Sequence, residues 1–140
     1  MRSLAFVALG SNVGDRGEHL AFARRALADL PDSRIVAVSD EEETEPLGAA
    51  DQPRYLNQMV ALETRLAPRD LLHRLHLIED QRGRLRLERW GPRTLDLDLV
   101  LYDDFVVNEP GLVLPHPGLA QRDFWKREVE ALRSRLGQLR

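Results

Sequence analysis

The chain has 140 residues, 20 of them basic and 23 acidic, so its formal charge is -3 at pH 7. This length predicts one domain over residues 1–140, and the slightly acidic balance argues against nucleic acid or an anionic membrane as a partner. Cysteine is absent, which excludes thiolate catalysis, disulfides and zinc–thiolate sites.

The first half of the chain predicts a strand, a helix and two further strands. The apolar run at residues 4–9 predicts a buried strand and is too short for a signal peptide or a spanning helix, so we expect a cytoplasmic protein. Residues 17–30 predict a helix with one apolar stripe. A second strand begins at Ile35 and extends toward Glu43, and residues 56–66 predict a third.

The second half predicts a helix, a strand and a further helix. Pro68 suits the first turn of the helix and Gly83 its end, and residues 95–102 form a strand that stops at a turn. Two strand–helix–strand units predict an α+β, ferredoxin-like βαββαβ core, with a mostly antiparallel sheet and both helices on one face. Residues 125–140 predict an extra C-terminal helix, whose apolar stripe comprises Trp125, Val129, Leu132, Leu136 and Leu139.

A strand with two carboxylates directly follows an arginine-rich segment. Alternation along a strand places Asp96 and Asp98 on one face, about 7 Å apart, and leaves the other face apolar. The apolar face comprises Leu95, Leu97, Leu99 and Leu101. Two hard oxygen ligands suit Mg²⁺ bound to substrate phosphates, whereas the alternative is a solvated acidic face on a half-buried strand. Five arginines and one glutamate at residues 82–93 favour an anionic, metal-bound partner such as a nucleoside triphosphate.

Lysine has no part in that prediction. Lys126 is the single lysine of the sequence, which excludes a phosphate-binding loop that ends in lysine and a central Schiff base. Phosphate charge must therefore be met by arginine, backbone amides and metal ions.

Four blocks of the sequence carry a resemblance to a known family. They are residues 10–15 (GSNVGD), 44–57, 89–98 (RWGPRTLDLD) and 115–124, where Pro115, His116 and Pro117 precede Arg122 and Phe124. In this order and spacing they resemble the 6-hydroxymethyl-7,8-dihydropterin pyrophosphokinase family of folate synthesis. The resemblance covers residues 4–124 and implies Mg²⁺-dependent transfer of pyrophosphate from ATP to the hydroxymethyl group of a reduced pterin, with release of AMP.

The resemblance also implies the site residues. Asp96 and Asp98 would bridge two Mg²⁺ ions, and Arg84 and Arg93 would grip the phosphates during catalysis. The remaining ATP-binding positions are Glu79, Trp90, His116 and Arg122. The pterin-binding positions are Thr44, Leu47, Tyr55, Asn57 and Phe124. ATP and the hydroxymethyl dihydropterin are the expected partners of what we expect to be a monomer.

Most of these residues have a plain alternative when each is taken alone. Glu79 fits a solvated helix charge, and His116 a turn histidine that caps a neighbour. Tyr55 and Phe124 fit core aromatics, and Asn57 a polar group at a strand end. Trp90 could simply anchor its loop. Residues 10–15 favour a strand-to-helix turn capped by Asp15 over an anion cradle.

Departures from the family leave other interpretations open. The arginine segment is one residue shorter, so Arg86 could replace Arg84, and Glu45 stands beside Pro46 where an uncharged residue is common. The charged helix at residues 125–140 replaces an apolar stretch, which leaves open a relative that binds nucleotide or pterin without efficient transfer. A third class, an RNA-binding module of ferredoxin-like order, lacks the stacking-aromatic strand motif and would place two acids against a phosphate backbone.

Overall fold

An antiparallel sheet organises the part of the chain that this computed structural model describes, which is residues 2–45, 53–82 and 94–138. Its strands are β1 (Ser3–Ser11), β2 (Ser33–Val38), β3 (Glu42–Thr44), β4 (Tyr55–Thr64) and β5 (Asp96–Tyr102). The order is β2-β4-β1-β5, and β3 also pairs with β4. This is the order expected for the ferredoxin-like core, with β3 as an added edge segment.

Two helices cover one face of the sheet, as the sequence predicts. Helix α1 (Arg16–Ala28) follows β1, and its N-terminus is capped by Asp15, whose Oδ1 accepts from the backbone N–H of Glu18 at 3.2 Å. Helix α2 (Pro68–Gln81) connects β4 to β5. The apolar stripes of both helices pack on one core with the inward residues of β1, β4 and β5. The predicted strand-to-helix turn with an Asp15 cap is therefore confirmed.

The predicted C-terminal helix covers the opposite face of the sheet. Helix α3 (Asp123–Gln138) buries Trp125, Val129 and Leu132, which pack with Phe6 and Met59 in a second core. Full burial of a leucine stabilises a fold by about 1.5–3 kcal/mol, so this helix makes a substantial contribution. The described residues thus form three layers, with the sheet between α1 and α2 on one side and α3 on the other.

An irregularity in β5 corrects one prediction. Val7 is paired with Leu99 but Phe6 with Leu101, so Val100 is an extra residue in the ladder. Such a bulge turns the following side chain to the other face. Leu101 consequently packs in the core beneath α3, and the prediction that it shares a face with Leu97 and Leu99 is wrong.

Two connections were not predicted in their observed form. The second strand does not run unbroken toward Glu43, because residues 39–41 separate β2 from β3. After β5, a hairpin of β6 (Val107–Glu109) and β7 (Leu112–Leu114) precedes a short 3-10 helix (Pro117–Ala120) that leads into α3. Within the described ranges, no helix is both long enough and apolar enough to cross a membrane.

Candidate active site

A cavity of about 220 Å³ lies on the α3 side of the sheet, where the ends of four strands meet the start of α3. Its lining unites residues from all four resemblance blocks. The predicted site residues among them are Thr44, Tyr55, Asn57, Asp96, Asp98, Arg122 and Phe124. Positions up to 80 residues apart in the sequence are thus brought to one place, as the resemblance implies. Ala8, Leu9, Gly10, Glu45 and Trp125 also line the cavity, and the prediction did not assign them to the site.

The two acids project from β5 over small residues of β1. Asp96 is paired with Gly10 and Asp98 with Ala8, so no bulky side chain covers the space above the carboxylates. Their neighbours Leu97 and Leu99 are buried on the opposite face. The alternation predicted for Asp96 and Asp98 is therefore present, and both acids are half-buried at the edge of the cavity.

The bulge in β5 positions His116 beside Asp98. The backbone N–H of His116 donates to the carbonyl of Val100 at 2.9 Å, and its Nδ1 accepts from the N–H of Gly118 at 2.9 Å. With Nδ1 as an acceptor, the neutral ring carries its proton on Nε2. That nitrogen lies 3.5 Å from Oδ1 of Asp98. His116 does cap a neighbouring turn, as its sequence context predicts, and it also reaches the acidic pair.

Arg122 crosses the 3-10 helix to reach the cavity. Its guanidinium lies 4.4 Å from the ring centroid of Trp125, within the range of a cation–π contact. A Cβ atom at Gly118 would lie 1.9 Å from Nη1 of Arg122, so a side chain there would collide with the arginine. Gly118 and Trp125 together fix a cationic group at the cavity wall.

Amide, hydroxyl and aromatic groups form the other end of the cavity. Nδ2 of Asn57 donates to Oγ1 of Thr44, which leaves Oδ1 of Asn57 available as an acceptor. Tyr55 is paired with Thr44, so its ring projects from the sheet on the same face, and Phe124 lines the cavity from α3. An aromatic group on each side and an amide at the edge suit a flat, polar heterocycle.

Strand β3, which carries Thr44, is held from both faces. On the α1 side, Arg16 contacts Glu43 at 2.5 Å, and this hydrogen bond together with the charge of Arg16 lowers the pKa of Glu43. On the α3 side, Nη1 of Arg127 lies 3.4 Å from Oε2 of Glu42.

Glu79 is not the solvated helix charge that its sequence context suggests. It is 4% exposed, and its Oε2 accepts from the backbone N–H of Leu97 at 2.8 Å. Because β5 is an edge strand of the described sheet, that N–H has no strand partner there, and Glu79 satisfies it. Glu79 therefore fixes β5 between the two acids; it is not among the residues that line the cavity.

Four predicted site residues lie outside the described part of the chain. They are Leu47, Arg84, Trp90 and Arg93. The choice between Arg84 and Arg86 lies there as well, so these assignments stay predictions.

The donor set of the cavity fits a hard cation shared with a substrate. In residues 2–45, 53–82 and 94–138, no three His, Asp or Glu side chains cluster closely enough to hold a metal ion. Mg²⁺ does not need such a cluster, since it commonly binds through one or two carboxylates and takes its other oxygens from phosphate and water. Asp96 and Asp98 at the cavity are two carboxylates of this kind.

Comparison with known proteins agrees with this geometry. The profile of the family described as 7,8-dihydro-6-hydroxymethylpterin-pyrophosphokinase (HPPK) matches residues 6–134. A 2-amino-4-hydroxy-6-hydroxymethyldihydropteridine pyrophosphokinase from Pseudomonas aeruginosa is 48% identical over 119 residues, which cover 85% of this chain and 74% of that protein. The proteins of the same name from Haemophilus influenzae and Pseudomonas putida are 42% and 46% identical, over 86% and 80% of this chain and 75% and 92% of theirs. This chain belongs to the HPPK family.

Proposed function

We propose that this protein transfers the pyrophosphoryl group of ATP to 6-hydroxymethyl-7,8-dihydropterin in folate biosynthesis. The observation that carries the proposal is the meeting of Asp96 and Asp98 with the Thr44–Asn57 pair in one cavity. In the reaction, the pterin hydroxyl oxygen attacks the β-phosphorus of ATP. The bond between that phosphorus and the oxygen that bridges the α- and β-phosphates breaks. The hydroxyl proton is lost, and the products are AMP and the pterin diphosphate.

Asp96 and Asp98 would hold Mg²⁺, and we propose two ions that enter with ATP. When bound, the metal neutralises the triphosphate and the charge that develops during transfer. The two carboxylates fix where the phosphates lie, and His116 restrains the rotamer of Asp98 from the side of the 3-10 helix. ATP also contacts Glu79, Trp90 and His116 in this proposal.

The pterin is oriented by the other end of the cavity. Asn57 and the backbones of Thr44 and Leu47 offer donors and acceptors to the amide-like edge of the ring. Tyr55 and Phe124 contact the faces of the ring. This arrangement directs the hydroxymethyl group toward the acids, and such positioning is a large part of catalysis in a reaction between two substrates.

Arginines complete the phosphate site. Arg122 donates from the cavity wall, and we propose that Arg84 and Arg93 engage the phosphates chiefly in the transition state. A guanidinium donates bidentately to phosphate oxygens, which suits it to that task. Loss of Arg84 or Arg93 should then lower kcat more than it raises the KM for ATP.

One assay tests the proposal. The purified protein is incubated with ATP and Mg²⁺, with and without the hydroxymethyl dihydropterin, and AMP and the pterin diphosphate are quantified. We expect equal amounts of both products, formed only with the pterin present. Formation of ADP would contradict pyrophosphoryl transfer. Binding of both substrates in calorimetry without AMP formation would instead support the relative that binds without efficient transfer.

A further inference from the structure

Two carboxyl groups meet between α3 and β3, outside the cavity. Glu128 of α3 is 5% exposed, and Glu42 of β3 faces the same side of the sheet. Oε1 of Glu42 and both side-chain oxygens of Glu128 are buried, and no donor of the described residues reaches them. If Glu128 were charged, its buried carboxylate would lie beside that of Glu42 with no donor to these three oxygens, at a large desolvation and repulsion penalty. A proton held between them removes that penalty.

The neighbouring groups indicate which carboxyl holds the proton. Burial, and to a lesser extent the adjacent Glu42, raise the pKa of Glu128 to about 8 against the opposing charge of Arg127. Arg127 itself contacts the outer oxygen of Glu42 at 3.4 Å, so the negative charge belongs on Glu42. The strand side chains in the core beneath α3 are apolar, and on the same face of the sheet Asp96 and Asp98 project into the cavity at the start of the helix. The apolar side chains are Leu4, Phe6, Ala8, Val36, Ala37, Met59, Ala61, Val100 and Leu101.

The carboxyl pair joins the two walls of the proposed pterin site. Glu42 lies two residues before Thr44 on the same face of β3, and it is paired in register with Asn57. Glu128 lies one helical turn after Phe124 on α3. A hydrogen bond from Glu128 to Glu42 therefore fixes the distance between Phe124 and the Thr44–Asn57 pair.

We propose that Glu128 is a positioning residue for the pterin site, acting as a neutral acid that donates a hydrogen bond to the Glu42 carboxylate. The inference rests on the proposed function, because it assigns that cavity to the pterin. It goes beyond that function in giving pterin affinity a dependence on pH that originates outside the cavity. Deprotonation of Glu128 breaks the bond, places two charges together and separates α3 from β3.

The first test is made without ligand and does not depend on the proposed function. Free energies of unfolding are measured in denaturant at about pH 6.5 and about pH 9 for the wild type, Glu128→Gln and Glu130→Gln. In Glu128→Gln the new side-chain amide retains a donor toward Glu42 but cannot titrate, whereas Glu130 is on the exposed face of α3 and gives a matched change of charge. We expect the wild type and Glu130→Gln to lose stability between the two pH values, and Glu128→Gln to lose markedly less.

The second test measures pterin binding by calorimetry, with Mg²⁺ and a non-hydrolysable ATP analogue, at the same two pH values. At about pH 9 roughly a tenth of Glu128 remains protonated, so the wild-type dissociation constant should rise about tenfold. After the data for both proteins are corrected for ionisation of the substrate, Glu128→Gln should bind pterin equally well at both pH values. Glu128→Ala, which lacks any donor, should bind weakly at both.

The outcomes separate the two proposals. If the pterin binds but wild type and Glu128→Gln show the same pH dependence, the positioning role of Glu128 is wrong and the proposed function stands. The unfolding data could show the pH dependence expected for a protonated Glu128 while neither the wild type nor any variant binds pterin at either pH. In that case the proposed function is wrong, and the positioning role is wrong with it. If Glu128→Gln is as unstable as Glu128→Ala at about pH 6.5, Glu128 does not act as a donor to Glu42.

Discussion

Asp98 takes its position from three separate parts of the chain. Strand alternation puts its side chain on the α3 face, Ala8 on the neighbouring strand leaves space above it, and the bulge at Val100 brings His116 within 3.5 Å. The alternation is local and can be read from the sequence. The contact with His116 depends on a hydrogen bond to a bulged carbonyl, which no periodicity in the sequence indicates.

Removal of either acid should nearly abolish transfer and preserve the fold. Loss of a group that organises charge in the transition state costs about 10²- to 10³-fold in kcat. We therefore expect Asp96→Ala and Asp98→Ala to show such losses with melting temperatures near that of the wild type. Asp104→Ala is the matched control, because Asp104 is exposed in the turn after the same strand. Near-normal activity of either site variant at saturating Mg²⁺ would refute the assignment.

Two substitutions of His116 separate its roles. Asn can replace Nδ1 as the acceptor for Gly118 but does not reach Asp98, whereas Gln can approach Asp98 through its amide but loses the cap. We expect His116→Asn to retain the melting temperature and to lose about 10- to 100-fold in activity, the range for partners that orient a metal ligand. His116→Gln should be less stable and more active than His116→Asn. The reverse ranking of activities would mean that the cap alone matters.

Gly10 allows close packing beneath the pterin site. A Cβ at Gly10 would lie 3.3 Å from Oδ1 of Asn57 and 3.6 Å from Cδ1 of Tyr55. Gly10→Ala should displace the side chain of Asn57 by a few tenths of an ångström and raise the KM for pterin more than that for ATP. Gly137→Ala is the control, since a Cβ there meets no atom within 4 Å and should stabilise α3 by about 0.5–1 kcal/mol. Equal KM values for Gly10→Ala and wild type would show that the pterin does not contact this part of the sheet.

At the level of elements, the regular parts were predictable and the irregular parts were not. Helices α1, α2 and α3 and the strand carrying the acids follow from apolar periodicity and caps. The face of Leu101 was mispredicted because a bulge breaks the period of two, and the β6–β7 hairpin has too few residues to show a period. The alternative of a solvated helix charge at Glu79 is wrong, because its partner is a backbone N–H at a sheet edge, which only the assembled sheet defines.

Helix α3 should be required for stability as well as for the site. Both leucines belong to α3 and face the sheet. Leu132 is fully buried in the core between the helix and the sheet, whereas Leu136 is partly buried at the margin of the same core. Leu132→Ala should reduce the free energy of unfolding by about 2–5 kcal/mol, and Leu136→Ala should cost clearly less. Denaturant unfolding measures both. Equal small losses would indicate that α3 is only loosely docked, and would weaken its role as the wall that carries Phe124.

At the scale of the whole molecule, two sets of carboxyl groups give stability opposite dependences on pH. The pKa of Glu43 is lowered by Arg16 and that of Glu63 by Arg34 and Arg2, so their contributions are present above about pH 4.5 and are lost as the pH falls. Glu128 has a raised pKa, so its contribution is complete below about pH 4.5 and is lost as the pH rises toward about 8. Stability should therefore be greatest on the acid side of neutral pH.

Added salt should affect the fall in stability at low pH (the acid limb) and the fall at higher pH (the alkaline limb) differently. The side chains of Glu43 and Glu63 are 46% and 30% exposed, so added salt screens their ion pairs, whereas Glu128 is buried and is screened much less. Raising NaCl from about 0.05 M to about 0.5 M should flatten the fall in unfolding free energy at low pH and leave the fall between about pH 6.5 and 8 nearly unchanged. The alkaline limb should have a slope of up to about 1.4 kcal/mol per pH unit, since one proton is released. If salt flattens both limbs equally, the carboxyl groups at α3 and β3 are solvated, and the buried proton that we infer there is absent.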